Sequence, residues 1–199
     1  MGILGSSYSF SCFRAEVPGG LSDVSGWVVR VLSTHSFREE VEGLSKRIGW
    51  TSPFEPFSPQ FDVASSILGD FAIFSMRIDE RKVPRPLLKK YLALEELKYM
   101  EEKGIKRVPR VVKKKLKERV EFMLLQKVLP VPTIIDVAWD LEEGIVYFFS
   151  TSSKVIGEFQ GFFKRSFEIM PEPLIPYTMA EGVGGPDLLR GLTPDSFVS

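Results

Sequence analysis

Apolar and polar residues follow strand and helix periods in turn at the two ends of this chain and a helical period through its middle. Tyr8 to Val17 (YSFSCFRAEV) alternates aromatic and small residues until Pro18-Gly19-Gly20, which predicts a strand closed by a turn. Ser22 or Asp23 then caps a helix to about Leu32, with Leu21, Val24, Trp27, Val28 and Val31 as its apolar face. A second short helix is expected near Phe37 to Leu44. Ile48-Gly49-Trp50 reads as the start of a strand, and the three prolines between Thr51 and Pro59 mark a loop. Phe71 to Ile78 (FAIFSMRI) is a further strand, alternating from Phe74 onward.

The middle is helical. Pro84 and Pro86 open a helix that runs through Leu88, Tyr91 and Leu92 to about Lys103, where Gly104 ends it. Pro109 starts a second helix reaching about Val128, so a helical hairpin or arm is expected. Pro130-Val131-Pro132 breaks that helix. Thr133 to Trp139 and Ile145 to Ser150 read as strands joined by Asp140-Leu141-Glu142-Glu143-Gly144. Ser152 or Ser153 caps a helix to about Phe167, and a short strand follows near Glu168 to Met170. These elements predict an α+β fold with mainly antiparallel sheets, built from two strand/helix halves that flank a long basic helical hairpin. The expected divisions are an N-terminal half (1–83), the basic arm (84–129), a C-terminal half sharing the core (130–178) and a flexible tail rich in Gly and Pro (179–199).

Composition adds little until charge is mapped along the chain. With 44% hydrophobic residues in 199, the chain can bury a core without staples, and one cysteine excludes an internal disulfide. No uncharged apolar run approaches the roughly 18 residues of a membrane span, and the N-terminus lacks signal-peptide character. Met1-Gly2-Ile3-Leu4-Gly5-Ser6 fits the loose myristoylation pattern but leads straight into the strand from Tyr8. The expectation is a soluble, cytoplasmic protein without a membrane partner. Net charge is zero, yet Arg77 to Lys127 holds 17 Lys and Arg against 8 Asp and Glu, and the remainder holds 9 against 18. A neutral molecule therefore carries one strongly positive element.

Side-chain chemistry is sparse. His35 is the only histidine and Cys12 the only cysteine, too few for a zinc site or a nucleophile–base triad, so no cofactor is expected. Asp136, Asp140 and Glu142, with Glu143 beside them, leave open an Mg²⁺-dependent nuclease, although Asp140 to Glu143 also reads as a charged hairpin turn. Gly182-Val183-Gly184-Gly185-Pro186 matches neither a P-loop nor a dinucleotide fingerprint. The 3–4 spacing of Phe159, Phe162, Phe163 and Phe167 predicts a core face rather than base-stacking rings.

The arm carries the signal. Arg110, Lys113, Lys114 and Lys117 fall at i, i+3, i+4 and i+7 on one helical face, while Val112, Leu116, Val120 and Met123 form another. Lys106 and Arg107 extend the charge over the link, and Lys89 and Lys90 add to it from the first helix. Glu118 and Glu121 are the nearest acids on the same helix. Such a row suits successive phosphates of nucleic acid. A solvated helix face, or a surface meeting an acidic protein, fits the same pattern.

The order of several short segments resembles the recombination-associated RdgC family. Gly49-Trp50-Thr51-Ser52-Pro53 is similar to its early Gly-Trp-x-x-Pro, and Arg77 to Leu88 (RIDERKVPRPLL) to its strand exit into the first long helix. Lys115 to Leu125 resembles its lysine-containing helix with paired leucines, and Ile135-Asp136 with Gly144-Ile145-Val146 its Ile-Asp and Gly-Leu strand pair. Ser150 to Lys154 resembles its Ala-Ser-x-Lys helix start, and Pro173 to Pro176 its closing strand. The likeness covers about residues 8 to 180. It implies a nucleoid-associated, sequence-tolerant binder of double-stranded DNA that forms a homodimer ring and restrains the RecA recombinase by occupying its substrate. The family has also been labelled an exonuclease; the residues here lead us to expect no catalytic activity. Relatives carry Leu-Leu-Pro-Arg-Ala-Phe where this chain has Leu124-Leu125-Gln126-Lys127-Val128-Leu129, and longer relatives continue with residues that help close the ring.

Overall fold

The computed structural model describes residues 9–39, 45–58 and 60–174. The element order is β1 (Ser11–Arg14), α1 (Val24–Thr34), β2 (Lys46–Thr51), α2 (Val63–Ser66), β3 (Ile67–Leu68), β4 (Phe71–Glu80), α3 (Arg85–Lys103), α4 (Arg110–Lys127), β5 (Val131–Asp140), β6 (Ile145–Phe148), α5 (Ser153–Phe167) and β7 (Glu172–Pro173). The strands make a seven-stranded antiparallel sheet in the order β2-β4-β5-β6-β1-β7, with β3 paired to β4. This is the α+β fold that the periodicities predict.

The chain forms two compact units. Among the described residues, the first comprises 9–37, 49–77 and 134–174 and holds the aromatic core. In β6, Val146 and Phe148 are buried opposite Phe13 and Ser11 of β1 and opposite Trp139 and Val137 of β5. Alternation along each strand therefore aims the large side chains at one face. The phenylalanines of α5 cover that face, as their spacing requires: Phe159 stacks on Phe148 at 4.2 Å and 14°, and Phe163 and Phe167 meet Trp139 at 5.2 and 5.1 Å. From α1, capped by Asp23 through the Gly26 N–H, Trp27 adds an edge contact to both Trp139 and Phe167. The second unit, whose described residues fall in 38–48 and 78–133, contains the whole α3–α4 hairpin.

Three local expectations are corrected. Phe37 to Glu39 are not helical: the Phe37 N–H donates to the Trp50 carbonyl at 2.8 Å, holding the segment beside β2. The remainder of that expected helix, 40–44, lies outside the described residues. No strand forms at Glu168 to Met170, because Glu168 takes the left-handed conformation (φ 63°) that closes α5. The strand comes later, as β7, paired with Phe13 and Arg14. Val131 and Pro132 belong to β5 instead of preceding it, a proline being tolerated near the start of a strand. The tail from 179, its glycine cluster and the Met1 to Ser6 pattern lie outside the described residues. Among the described residues, no helix is long and apolar enough to cross a membrane.

Candidate nucleic-acid interface

The hairpin is specified by its punctuation. Pro84 stands at the cap of α3 and Pro86 within its first turn, where a missing N–H breaks no helical bond. At the other end Gly104 adopts φ 63°, and the Gly104 and Ile105 N–H groups donate to the Glu101 and Met100 carbonyls. That left-handed residue turns the chain with no Cβ to strain it. After the link Pro109 caps α4, which ends at Lys127 with Val128 as its extended C-cap, two residues before Pro130.

Packing along the hairpin is thin. No residue of α3 is fully buried, and in α4 only Val120 and Leu124 are. Val112, Leu116 and Met123 are half-buried, in line with the expected packing face. Two ion pairs bridge the helices: Lys113 Nζ to Glu96 at 2.8 Å, and Arg119 to Glu95 at 3.6 Å. The acids that answer α4 thus come largely from α3 and not from its own i+4 positions. Spacing along one helix could not reveal this, because it depends on the register of the hairpin.

The remaining cations face solvent. Lys106 and Arg107 in the link, Arg110 and Lys117 on α4, and Lys89 and Lys90 on α3 are all exposed. Lys114 is 82% exposed, and its 3.9 Å approach to Glu118, itself exposed, contributes little. Arg110, Lys113, Lys114 and Lys117 do share the helix face that their spacing implies, but Lys113 is committed to Glu96. The first turn of α4 contains no acid and begins at Arg110. Cations there oppose the helix dipole, so helix stability does not account for them. Leu94, Leu97, Val111 and Phe122 are exposed apolar residues on the same two helices. Arg81, Lys82 and Arg85, which precede or open α3, lie outside the cation row of α4 and show in the sequence only as part of the basic stretch 77–127.

The carboxylates are engaged structurally. Asp136 is half-buried on β5 and accepts the Ser75 hydroxyl at 2.6 Å. Asp140 accepts the Glu142 and Glu143 N–H groups at 3.1 and 2.9 Å, the geometry of an Asx turn. Among the described residues, no three His, Cys, Asp or Glu side chains are grouped to hold a metal. His35 caps the end of α1, its Nδ1 3.1 Å from the Val31 carbonyl. Cys12 is half-buried on β1, and burial pushes its thiol pKa up, away from the reactive thiolate.

The chain matches a protein family described as "Putative exonuclease, RdgC" over residues 25–182. That stretch contains every described element from β2 to β7, the whole hairpin included, and nearly all of α1. No curated protein matches the chain.

Proposed function

This chain belongs to the RdgC family, and from that premise we propose that it binds duplex DNA with little sequence preference and modulates recombination by occupying it. Membership carries a recombination-related role and interaction with DNA in general. The finer reading rests on one observation: an exposed cation set on a thinly packed hairpin, with Lys106, Arg107, Arg110, Lys114 and Lys117 directed to solvent. Lysine dominates the set, and an ammonium suits phosphate as a point charge better than it suits bidentate base recognition. The chain contains no Asn, and Gln60, Gln126 and Gln160 sit on separate segments, so residues that read base edges are scarce. Exposed Leu94, Leu97, Val111 and Phe122 support a homodimer contact in the same unit. Occupied DNA would be withheld from RecA.

The function is non-catalytic in this reading. The second reading, a metal-dependent exonuclease at Asp136 and Asp140, is favoured by the wording of the family description. Against it stand the hydrogen bonds that already engage both carboxylates.

The test is affinity for a duplex, measured with and without Mg²⁺ and followed by inspection of the DNA. Lys113→Glu is avoided, since it would set a second carboxylate against Glu96. Arg110→Gln, Lys114→Gln and Lys117→Gln together should reduce the slope of log K against log salt by about 3 while the melting temperature holds. Unchanged affinity would overturn the hairpin as the binding element. Nucleotide release by pure protein in Mg²⁺ or Mn²⁺, lost in Asp136→Asn, would install the nuclease reading.

A further inference from the structure

Residues Glu80 to Val83, with Arg85 at the start of α3, form one wall of a cavity of about 500 Å³. Ser45 and, from α4, Glu121 and Leu125 complete it, all within the hairpin unit. Three of the lining residues are cations, and they are differently committed. Lys82 holds Glu80 at 2.7 Å. Arg85, exposed at the first position of α3, makes no ion pair with any described residue. Arg81 is half-buried; its backbone N–H donates to the Ser45 carbonyl at 2.8 Å and fixes the residue in place. Its side-chain Nε is nevertheless buried without a hydrogen-bond partner.

A buried guanidinium N–H with no acceptor is uncommon, because its desolvation goes uncompensated. What it lacks is an oxygen acceptor. The start of α3 tends the same way: its cap is Pro84, with no side-chain hydrogen bond, and its first turn holds no acid. The positive end of the helix dipole therefore adds to the two arginines. Glu80 is answered by Lys82, which leaves Glu121 as the opposing charge on the wall. Two arginines against one carboxylate favour a small anion whose oxygens match guanidinium forks.

We propose that this cavity is a phosphate seat, in which Arg81 and Arg85 hold the oxygens of one phosphate group and Lys82 stands at its rim. The phosphate belongs either to DNA or to a free phosphate compound. Arg85 and Lys89 lie at i and i+4 on α3, so a DNA strand tracking the hairpin would meet the seat in line with Lys89. The DNA source rests on the hairpin reading above, whereas the phosphate chemistry stands apart from it.

The experiment titrates the full ¹⁵N-labelled chain with inorganic phosphate, and with chloride at matched ionic strength. Saturable shifts of the Arg81 Nε–Hε resonance and the Arg85 and Leu87 amides are expected in phosphate alone. Arg85→Gln, at an exposed helix start, should weaken that binding about tenfold. Arg81→Lys keeps the charge but removes Nε, and should weaken it similarly when followed at the Arg85 amide. Shifts that never saturate, or equal shifts in chloride, overturn the proposal. A duplex titration then assigns the source. A salt slope reduced by about 1 in Arg85→Gln means a DNA phosphate; an unchanged slope with phosphate binding intact means a free phosphate compound. Phosphate binding in a protein that binds no duplex would overturn the hairpin reading and leave the seat standing.

Discussion

Gly49 has no room for a side chain: a Cβ there would lie 2.6 Å from the Phe37 backbone nitrogen and 2.8 Å from the Phe37 Cβ. Its neighbours in the Gly-Trp-x-x-Pro segment are equally constrained. Trp50 is fully buried and donates through Nε1 to Ser166 Oγ at 3.0 Å, Thr51 donates its hydroxyl to the Pro56 carbonyl, and Ser52 Oγ accepts the Phe54 N–H. The segment that carries the family likeness is thus architectural. Gly49→Ala should cost about 3 kcal/mol or prevent folding, since the clash is with backbone that cannot rotate away; urea unfolding measures it, and a loss below about 1 kcal/mol would contradict the packing. Asp62 gives a pH dependence. As the cap of α2 it accepts the Ser65 N–H and hydroxyl, and those hydrogen bonds hold its pKa below the ordinary carboxylate value. A depressed folded pKa stabilises above the unfolded value and is lost as pH falls through the folded one. The Ser65 amide should therefore stay protected from exchange at neutral pH and lose protection in acid below the usual Asp range, and Asp62→Ala should abolish that dependence.

Within the hairpin, charge does two jobs on one helix. Lys113 and Arg119 face α3 and meet Glu96 and Glu95, while Arg110, Lys114 and Lys117 do not. With no fully buried residue in α3, these pairs act beside a thin apolar seam in aligning the helices. Each is partly exposed, Lys113 at 54%, so each contributes below about 1 kcal/mol and is weakened by salt. Glu95→Gln with Glu96→Gln should leave global stability within about 1 kcal/mol yet speed amide exchange selectively in α3 and α4. Uniform acceleration, or none, would mean that apolar packing alone sets the hairpin. The same substitution releases Lys113 and Arg119, and duplex affinity should rise at low salt.

For the whole molecule, neutrality conceals the segregation of charge into the stretch from Arg77 to Lys127. Long-range attraction and counterion release follow the local field, not the net charge. With five cations neutralised per subunit, log K should fall against log salt with a slope of about −4 to −5, and twice that when both arms of a dimer engage one duplex. Unrelated duplexes of equal length should compete on nearly equal terms. A flat salt response would point to a protein partner, and a preference beyond roughly a hundredfold for one sequence would reveal base readout.

Periodicity and punctuation are local properties, and what depended on them was legible along the chain: α1, both hairpin helices, α5 with its aromatic face, and the isolation of positive charge. Each follows from residues within a few positions of one another, such as Asp23 before α1, Pro86 and Gly104 at the ends of α3, or the 3–4 spacing of Phe159 to Phe167. What tertiary structure decided depends on residues far apart in sequence. Phe37 lies beside Trp50 instead of in a helix, because a carbonyl of β2 captures its N–H. Lys113 is withdrawn from the basic row by Glu96, 17 residues away across the hairpin turn. Arg81 gains significance only when Ser45 pins it and folding buries its Nε without an acceptor. Local spacing places a charge on a face; partners from other segments determine whether that charge remains available.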